Sequence, residues 1–366
     1  MKVLLDGRPS YGGVHRVVRG LADGLRSRPG VELTVYGGIG GGPITSDDRL
    51  PRLRRLLRPF LGSLRRVVGD QLGLARAAWR DGADVVHSPH GVVPPSPRRP
   101  WIVSLWDLSP LDPGLACGPP LMARYRAMCF RRAIACADHL IVPSDAVRVA
   151  LIDGFGVAGD RVTRIHPLFG PHLEVGDHPL PRPRHLLHVG TLEPRKNLEL
   201  LLDAFELLDP GSRPPLLLAG RHGWRQETLV SRLGSFGPSV RWLGEVDDGR
   251  LAELYRQAAV LIQPSRHEGF DLPVLEGLAA GVPVVASDLP VHREVAGDCA
   301  LYAEADDAAA LSAAVLEALG WKAEQRRART AAARARAKRL ASSDPVAGHL
   351  EVYDAARGRR RNASGS

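Results

Sequence analysis

Short, near-continuous apolar runs recur along the chain, most of them closed by Gly, Ser, Asp or Pro. KVLLDG, VELTVYGG, DVVHSP, WIVSLWDL, HLIVPS and RVTRIHPL mark the first half; HLLHVG, PLLLAG, VRWLG, VLIQPS, VPVVAS and ALYAE mark the second. Runs of this kind predict strands buried on both faces, the habit of parallel sheets. Between them lie segments with helical periodicity, such as NLELLLDAFELL and DDGRLAELYRQA. Strand and helix alternating on this scale predict an α/β fold. The Pro-rich, polar stretch FGPHLEVGDHPLPRPR separates the halves. The expected plan is a first domain over residues 1–170, a linker over 171–184, a second domain over 185–345, and a C-terminal helix with a basic tail over 346–366 that crosses back to the first domain. Each domain reads as a doubly wound, Rossmann-like parallel sheet. The two are expected to face a central cleft, with ligands at the carboxyl ends of the strands.

Composition agrees with two ordinary domains: 366 residues, 44% of them hydrophobic. No apolar run reaches the ~18 residues of a membrane span, and the run in MKVLLDGRPS is too short for a signal-peptide core. Cys117, Cys129, Cys136 and Cys299 form no C-x-x-C pair. Reduced thiols in a cytoplasmic protein is the expectation. The net charge of +9 is uneven: 24 Lys+Arg against 15 Asp+Glu up to residue 175, and 25 against 25 after it. The excess is densest in RLPRLRRLLRPFLGSLRRVVGDQLGLARAAWR, above all from Arg52 to Arg66. Such a segment either packs its apolar stripe on its own domain or lies on an anionic membrane surface, which would put the protein at the inner face of the membrane. It lacks interleaved stacking aromatics, and no nucleic-acid partner is expected.

A twin-domain α/β chain can also be a dinucleotide oxidoreductase, which needs G-x-G-x-x-G between a strand and a helix. YGGIGGGPIT comes near, but Pro43 stands where the last glycine belongs. That reading is a runner-up.

The stretch RHEGFDLPVLEGLAAG carries more chemistry. It follows the predicted strand VLIQPS, so RHEGFD is the loop at that strand's carboxyl end. LPVLEGLAA is then a helix, with Pro273 at its first position and Gly281 as C-cap. The helix N-terminus is a phosphate seat. Glu268 and Glu276 flank it, and a carboxylate would repel a phosphate. Two of them make sense there if they accept hydrogen bonds from neutral hydroxyls on either side, as in a nucleotide sugar, where ribose and hexose flank a diphosphate. The alternative is an exposed loop residue and a glutamate that only favours the helix dipole. Cations stand elsewhere: HLLHVGTLEPRKNLELLLDAF places Arg195 and Lys196 after a strand and before a helix, where they can neutralise a diphosphate leaving group. The alternative is a basic loop capped by Asn197. In the first half, Gly12 and Gly13 precede a helix and allow close approach to a ligand.

Together, GGVHR, GTLEPRKN and the block from VRWLGEVDDGRLAELYRQAAVLIQPSRHEGFDLPVLEGLAAG to VPVVASDLPVHREVAGDCALY resemble the retaining glycosyltransferases of family 4, which have the two-domain GT-B fold. The resemblance covers nearly the whole chain. It implies that Glu268 touches the donor sugar, that Glu276 binds ribose, and that Arg195 and Lys196 bind the diphosphate. The amides of Gly269, Phe270, Asp271 and Leu272 would line sugar and phosphate, with Gly190 beside them and the Gly12–Gly13 loop closing over the diphosphate. Asp107 joins Glu268, Lys196 and Arg195 as a catalytic candidate, and Trp106 and His15 are acceptor-side candidates.

The pattern departs from the family at two places. Relatives usually carry His-Asp where this chain has Trp106-Asp107; indole donates one hydrogen bond and shuttles no proton. Asp271 stands where relatives often have glycine, and is expected to read a sugar hydroxyl or an amine. The resulting expectation is a hexosyltransferase that moves a sugar from a nucleotide-sugar donor to an acceptor hydroxyl with retention, without cofactor or metal. The wording of GTLEPRKN resembles mannosyltransferases, which favours GDP-mannose over UDP- or dTDP-sugars. The acceptor is a glycan, a lipid-linked sugar or a small natural product. A nucleotide-sugar epimerase of the same fold and a non-catalytic sugar-nucleotide sensor stay open.

Overall fold

Each of the twelve apolar runs named above becomes a strand. The computed structural model describes residues 1–8, 12–37, 67, 69–94, 97, 99–115, 120–168, 183–224 and 227–364. The basic stretch Arg52–Arg66, Cys117, most of the glycine run after Tyr36 and nearly all of the expected linker lie outside them. Two units divide the chain: Met1–Pro143 with Val147–Leu168 and Asp344–Ser366, and Ser144–Ala146 with Phe169–Ser343. The C-terminal segment from Asp344 groups with the first unit.

In the first unit, β1 (Lys2–Asp6), β2 (Glu32–Tyr36), β3 (Val85–Ser88), β4 (Trp101–Ser104), β5 (His139–Val142) and β6 (Val162–Arg164) form a six-stranded sheet in the order β2-β1-β3-β4-β5-β6. Every pairing is parallel. The inner strands β3, β4 and β5 are buried along their whole length, while the edge strand β2 is half-exposed, as the position in the sheet requires. Helix α1 (Gly12–Arg26) turns Val17, Val18, Leu21, Ala22 and Leu25 inward, one apolar face of a 3.6-residue period. Gly12 and Gly13 form its first turn instead of preceding it. Helices α2 (Leu74–Arg80), α3 (Pro120–Cys136) and α4 (Asp145–Phe155) follow.

In the second unit, β7 (His185–Val189), β8 (Leu216–Ala219), β9 (Val240–Gly244), β10 (Ala258–Gln263), β11 (Val284–Ser287) and β12 (Ala300–Ala303) run parallel in the order β12-β11-β10-β7-β8-β9. Helices are α5 (Leu198–Glu206), α6 (Glu227–Ser235), α7 (Asp248–Gln257), α8 (Leu272–Ala280), α9 (Pro290–Ala296), α10 (Ala308–Leu319) and α11 (Ala323–Ala341). One core joins Leu254, Tyr255, Val274, Leu278, Ala333 and Ala337; the other joins Leu201, Phe205, Leu229, Leu311 and Val315. These two layers cover the faces of a doubly wound sheet. The final helix α12 (Pro345–Ser364) returns to the first unit, where Val346, Val352, Tyr353 and Ala356 join the core of β1 and α1.

The strand order of the second sheet reverses between β7 and β10. Loops leaving neighbouring parallel strands at such a point diverge to opposite sides and leave a crevice at the carboxyl ends. Loops from those two strands carry Arg195, Lys196 and Glu268. Among the described residues, no helix is long and apolar enough to cross a membrane.

Candidate active site

The loop after β7 closes in a 3-10 turn, Pro194–Lys196, held by Lys196 N–H donating to Glu193 O at 2.9 Å. The loop after β10 runs to Asp271 and into α8. A backbone bond laces the two, Arg266 N–H to Arg195 O at 2.8 Å, and the Arg195 guanidinium donates to His267 O at 3.3 Å. Adjacent strands thus deliver two loops that fix one another.

Four charged side chains converge there. Arg195 Nη1 lies 2.7 Å from Glu268 Oε2, and Lys196 Nζ lies 2.6 Å from Glu268 Oε1 and 3.7 Å from Asp271 Oδ1. Arg195 also pairs with Glu193. Lys196, Glu268, Asp271 and Glu193 are all buried. Burial opposes ionisation of Glu268, but the Arg195 and Lys196 cations outweigh it and hold the carboxyl well below the usual carboxylate range. Burial likewise opposes the charge on Lys196, and Asp271 and Glu268 outweigh it and raise the lysine. Both groups are therefore charged at neutral pH. This excludes the reading of Glu268 as an exposed loop residue.

Helix α8 begins at Leu272, so Pro273 occupies its second position; its absent N–H is one of the first-turn donors that lack an intrahelical partner in any case. Asp271 stands just before it in the left-handed region, φ 64° and ψ 74°, a conformation in which L-residues other than Asn and Asp are scarce. Gly281 ends the helix at φ 79° as the predicted C-cap. Glu276 is buried, and its Oε2 accepts a hydrogen bond from the Tyr255 hydroxyl of α7 at 2.7 Å. It is therefore not merely a charge placed to suit the helix dipole. Phe270 and Gly269 are buried as well. Gly190 leaves room for the lysine: a Cβ there would lie 3.1 Å from Lys196 Cε and 3.2 Å from His188 Nε2. Asn197 is no side-chain cap; at φ 55° it donates through Nδ2 to Ala305 O at 2.7 Å.

Asp271, expected to read a sugar hydroxyl or an amine, is buried between a histidine and a lysine. Its Oδ2 is 3.0 Å from Nε2 of His292, and its Oδ1 faces Lys196. Sequence reasoning missed His292, Tyr255 and Glu193. Each lay within or beside a matched block, yet a buried histidine, a helix tyrosine and a loop glutamate carry no signal until their partners are known.

In the first unit, Arg8 grips Asp6 at the end of β1 through Nε–H to Oδ1 at 2.8 Å and Nη2–H to Oδ2 at 2.5 Å. Gly12, Gly13 and the half-buried His15 lie in the first turn of α1. The Trp106 indole N–H already donates to Pro89 O at 2.8 Å, and Asp107 Oδ1 accepts from the amide (2.9 Å) and hydroxyl (2.5 Å) of Ser109. Asp107 thereby closes a local Asx turn just ahead of the short turn Ser109–Leu111.

Two parallel, doubly wound sheets, the second gathering Arg195, Lys196 and Glu268 at its switch point, are the architecture of a GT-B transferase. A family model described as "Glycosyltransferase Family 4" matches residues 11–169, and one described as "Glycosyl transferases group 1" matches residues 183–320. The chain belongs to family 4 of the glycosyltransferases, and its fold is GT-B. It is 42% identical to O-antigen chain mannosyltransferase B of Escherichia coli over 139 residues, 37% of this chain and 36% of that protein. It is 38% identical to a phosphatidyl-myo-inositol mannosyltransferase of Mycobacterium leprae over 131 residues, 35% of this chain and 34% of that protein. The matched stretch thus spans about a third of these curated relatives. Sucrose-phosphate synthase of Thermosynechococcus elongatus superposes with a TM-score of 0.71 at 20% identity over 100% of both chains, a likeness of fold.

Proposed function

We propose that the protein moves a hexose, with retention of configuration, from a nucleotide-sugar to the hydroxyl of a glycan, lipid-linked or small-molecule acceptor. The observation that carries this reading is the convergence of Arg195, Lys196 and Glu268 at the β7/β10 switch point, before the N-terminus of α8. A diphosphate leaving group gains charge as the glycosidic bond breaks. Preorganised cations beside it stabilise that charge without reorganising at the moment of reaction. Arg195, Lys196 and the helix terminus take that role, so the reading requires no metal. Glu268 orients the sugar and steadies its oxocarbenium character. Glu276, held by Tyr255, takes the ribose. No second carboxylate stands in the role of a nucleophile in this reading. The departing phosphate itself helps to take the acceptor proton from the front face.

The likeness to two mannosyltransferases supports GDP-mannose as donor over UDP- and dTDP-sugars. A lipid-linked acceptor would give the basic stretch Arg52–Arg66 an anionic membrane surface to meet, and a small acceptor would not. The test is a thermal-shift screen against GDP-, UDP-, dTDP- and ADP-sugars, followed by turnover with the stabilising donor. Binding stabilises by mass action, roughly 2.7 kcal/mol at a hundredfold excess over the dissociation constant. Stabilisation by GDP-mannose with release of GDP only when acceptor is added is the expected result. Consumption of donor with no acceptor would instead mean an epimerase or hydrolase, and stabilisation by NAD alone would mean a dinucleotide enzyme.

A further inference from the structure

His292 lies in α9, fully buried, and both ring nitrogens face acceptors. Nδ1 is 2.7 Å from the backbone oxygen of Ser287, which only accepts, so Nδ1 carries a proton. Nε2 is 3.0 Å from Asp271 Oδ2. That oxygen belongs to a carboxylate whose other oxygen faces the Lys196 ammonium at 3.7 Å, so the contact is a donor on Nε2 meeting an acceptor and Nε2 carries a proton as well. His292 is an imidazolium paired with a carboxylate. Burial acts against that charge; the hydrogen bond and charge of Asp271, with Glu268 adding to them, outweigh it and raise His292 above its ordinary value. Asp288, just after β11, also faces the His292 charge.

The counts of charge then balance: Arg195, Lys196 and His292 against Glu193, Glu268 and Asp271. Without the imidazolium, Asp271 would have one cation in reach, Lys196. The carboxylate would close on that lysine as a second one beside Glu268 and offset its charge in full, and its left-handed backbone would lose the contact that holds it.

We propose that His292 is a positioning residue that holds the Asp271 carboxylate off Lys196, so that the lysine's charge remains available to the diphosphate of the donor. This rests on the reading of the site as a nucleotide-sugar site. His292 touches no reacting atom in it and acts through Asp271. Glycine at position 271 would make the clamp unnecessary, since it has no carboxylate and takes the left-handed backbone without strain.

Two measurements on the full chain test this. The first is kinetic, with GDP-mannose and the acceptor that supports turnover. His292→Gln is expected to lower kcat about tenfold, with the donor KM changed by less than about threefold, because charge is lost mainly where it grows in the transition state. The double variant Asp271→Gly/His292→Gln is expected to recover to within about threefold of the wild type. A histidine that only fills the core would not be rescued by glycine at 271, so a double variant as slow as His292→Gln overturns the proposal. The second needs no activity: imidazole nitrogen spectra of protein labelled with 15N-histidine, with His292→Gln to assign the signal. His292 is expected to carry both protons at pH 7.5, and Asp271→Asn is expected to lower its titration midpoint by about one unit or more. A neutral His292 at that pH, or one indifferent to Asp271→Asn, overturns the proposal. Absence of turnover with every nucleotide sugar would sink the reading of the site, and the spectra would still decide on His292.

Discussion

Tyr255 donates its hydroxyl hydrogen to Glu276 at 2.7 Å, and both residues are buried. The bond joins α7 to α8 and sets the rotamer of the carboxylate assigned to ribose. Ribose does not change during transfer, so loss of Glu276 removes binding common to the ground and transition states. Glu276→Gln is expected to raise the donor KM by about tenfold with kcat within about twofold. Tyr255→Phe leaves the carboxylate in place but costs one of its hydrogen bonds, and is expected to lower stability by about 1–3 kcal/mol with a smaller rise in KM. Steady-state kinetics and denaturant unfolding of both variants check this; an unchanged KM in Glu276→Gln would remove Glu276 from the donor site.

Lys196 is buried and paired, so its removal acts twice. Lys196→Ala leaves Glu268 and Asp271 with less compensation in the interior, which is expected to cost about 3–5 kcal/mol of stability. Its turnover is expected to fall on the order of 100-fold or more. The double variant Lys196→Ala/Glu268→Gln removes the stranded charge and should regain much of the stability, with turnover still lost. Full turnover in Lys196→Ala with any competent donor would sink the diphosphate assignment.

The strands were legible because a parallel sheet buries both faces and writes itself as unbroken apolar runs. The site was legible in part. Arg195, Lys196, Glu268 and Glu276 stand beside predicted strand ends and a helix start, where local signals suffice. The pairing of Glu268 with both cations was not legible, because it depends on β7 and β10 being neighbours although some 70 residues separate the two loops. His292 and Tyr255 were hidden for the same reason: each meets its partner 21 positions away, across a helix boundary. The left-handed backbone of Asp271 had no local sign beyond an aspartate where glycine is usual.

His87 and His349, two buried histidines of the first unit, give the stability a pH dependence opposite in sign to that of His292. In the first unit, His87 Nδ1 lies 2.7 Å from the Tyr353 hydroxyl and its Nε2 lies 2.8 Å from Ser104 Oγ, while His349 Nδ1 donates to Pro345 O at 2.7 Å. Burial, with the neighbouring His349 and His90, pushes His87 well below its ordinary 6.5, and burial pushes His349 down to about 4. Unfolding restores both to about 6.5. Below that pH the unfolded chain binds protons that the folded chain refuses at these two sites, so the part of the stability they govern is full above pH 6.5 and falls as pH drops towards 4. For His349 alone the loss approaches roughly 3 kcal/mol at about 1.4 kcal/mol per unit. The variant His349→Leu removes that titration. Its unfolding free energy is expected to fall less steeply between pH 6.5 and 4 than that of the wild type. Parallel slopes would show that His349 titrates alike in both states.

Gly220 ties the fold to the site. It closes β8 at φ 154°, and a Cβ on it would sit 1.9 Å from the backbone oxygen of Gly190. Backbone cannot give way as a side-chain tip can. The loops after β7 and β8 are locked together there, with Gly190 N–H donating to Ala219 O and Leu192 N–H to Arg221 O, each at 2.9 Å. Gly220→Ala must therefore push the Gly190 loop off its seat, and Lys196 lies only six residues further along that loop. Overpacking and the strained φ together are expected to cost about 1–3 kcal/mol. The displaced lysine is expected to lower turnover by on the order of tenfold or more, since a misplacement of about 1 Å in a preorganised site suffices for a large loss. Gly154→Ala is the control, because a Cβ there meets nothing within 4 Å. Unfolding curves and donor turnover for the two variants separate the cases. Equal behaviour of Gly220→Ala and Gly154→Ala would mean that the two loops do not hold Lys196 in place.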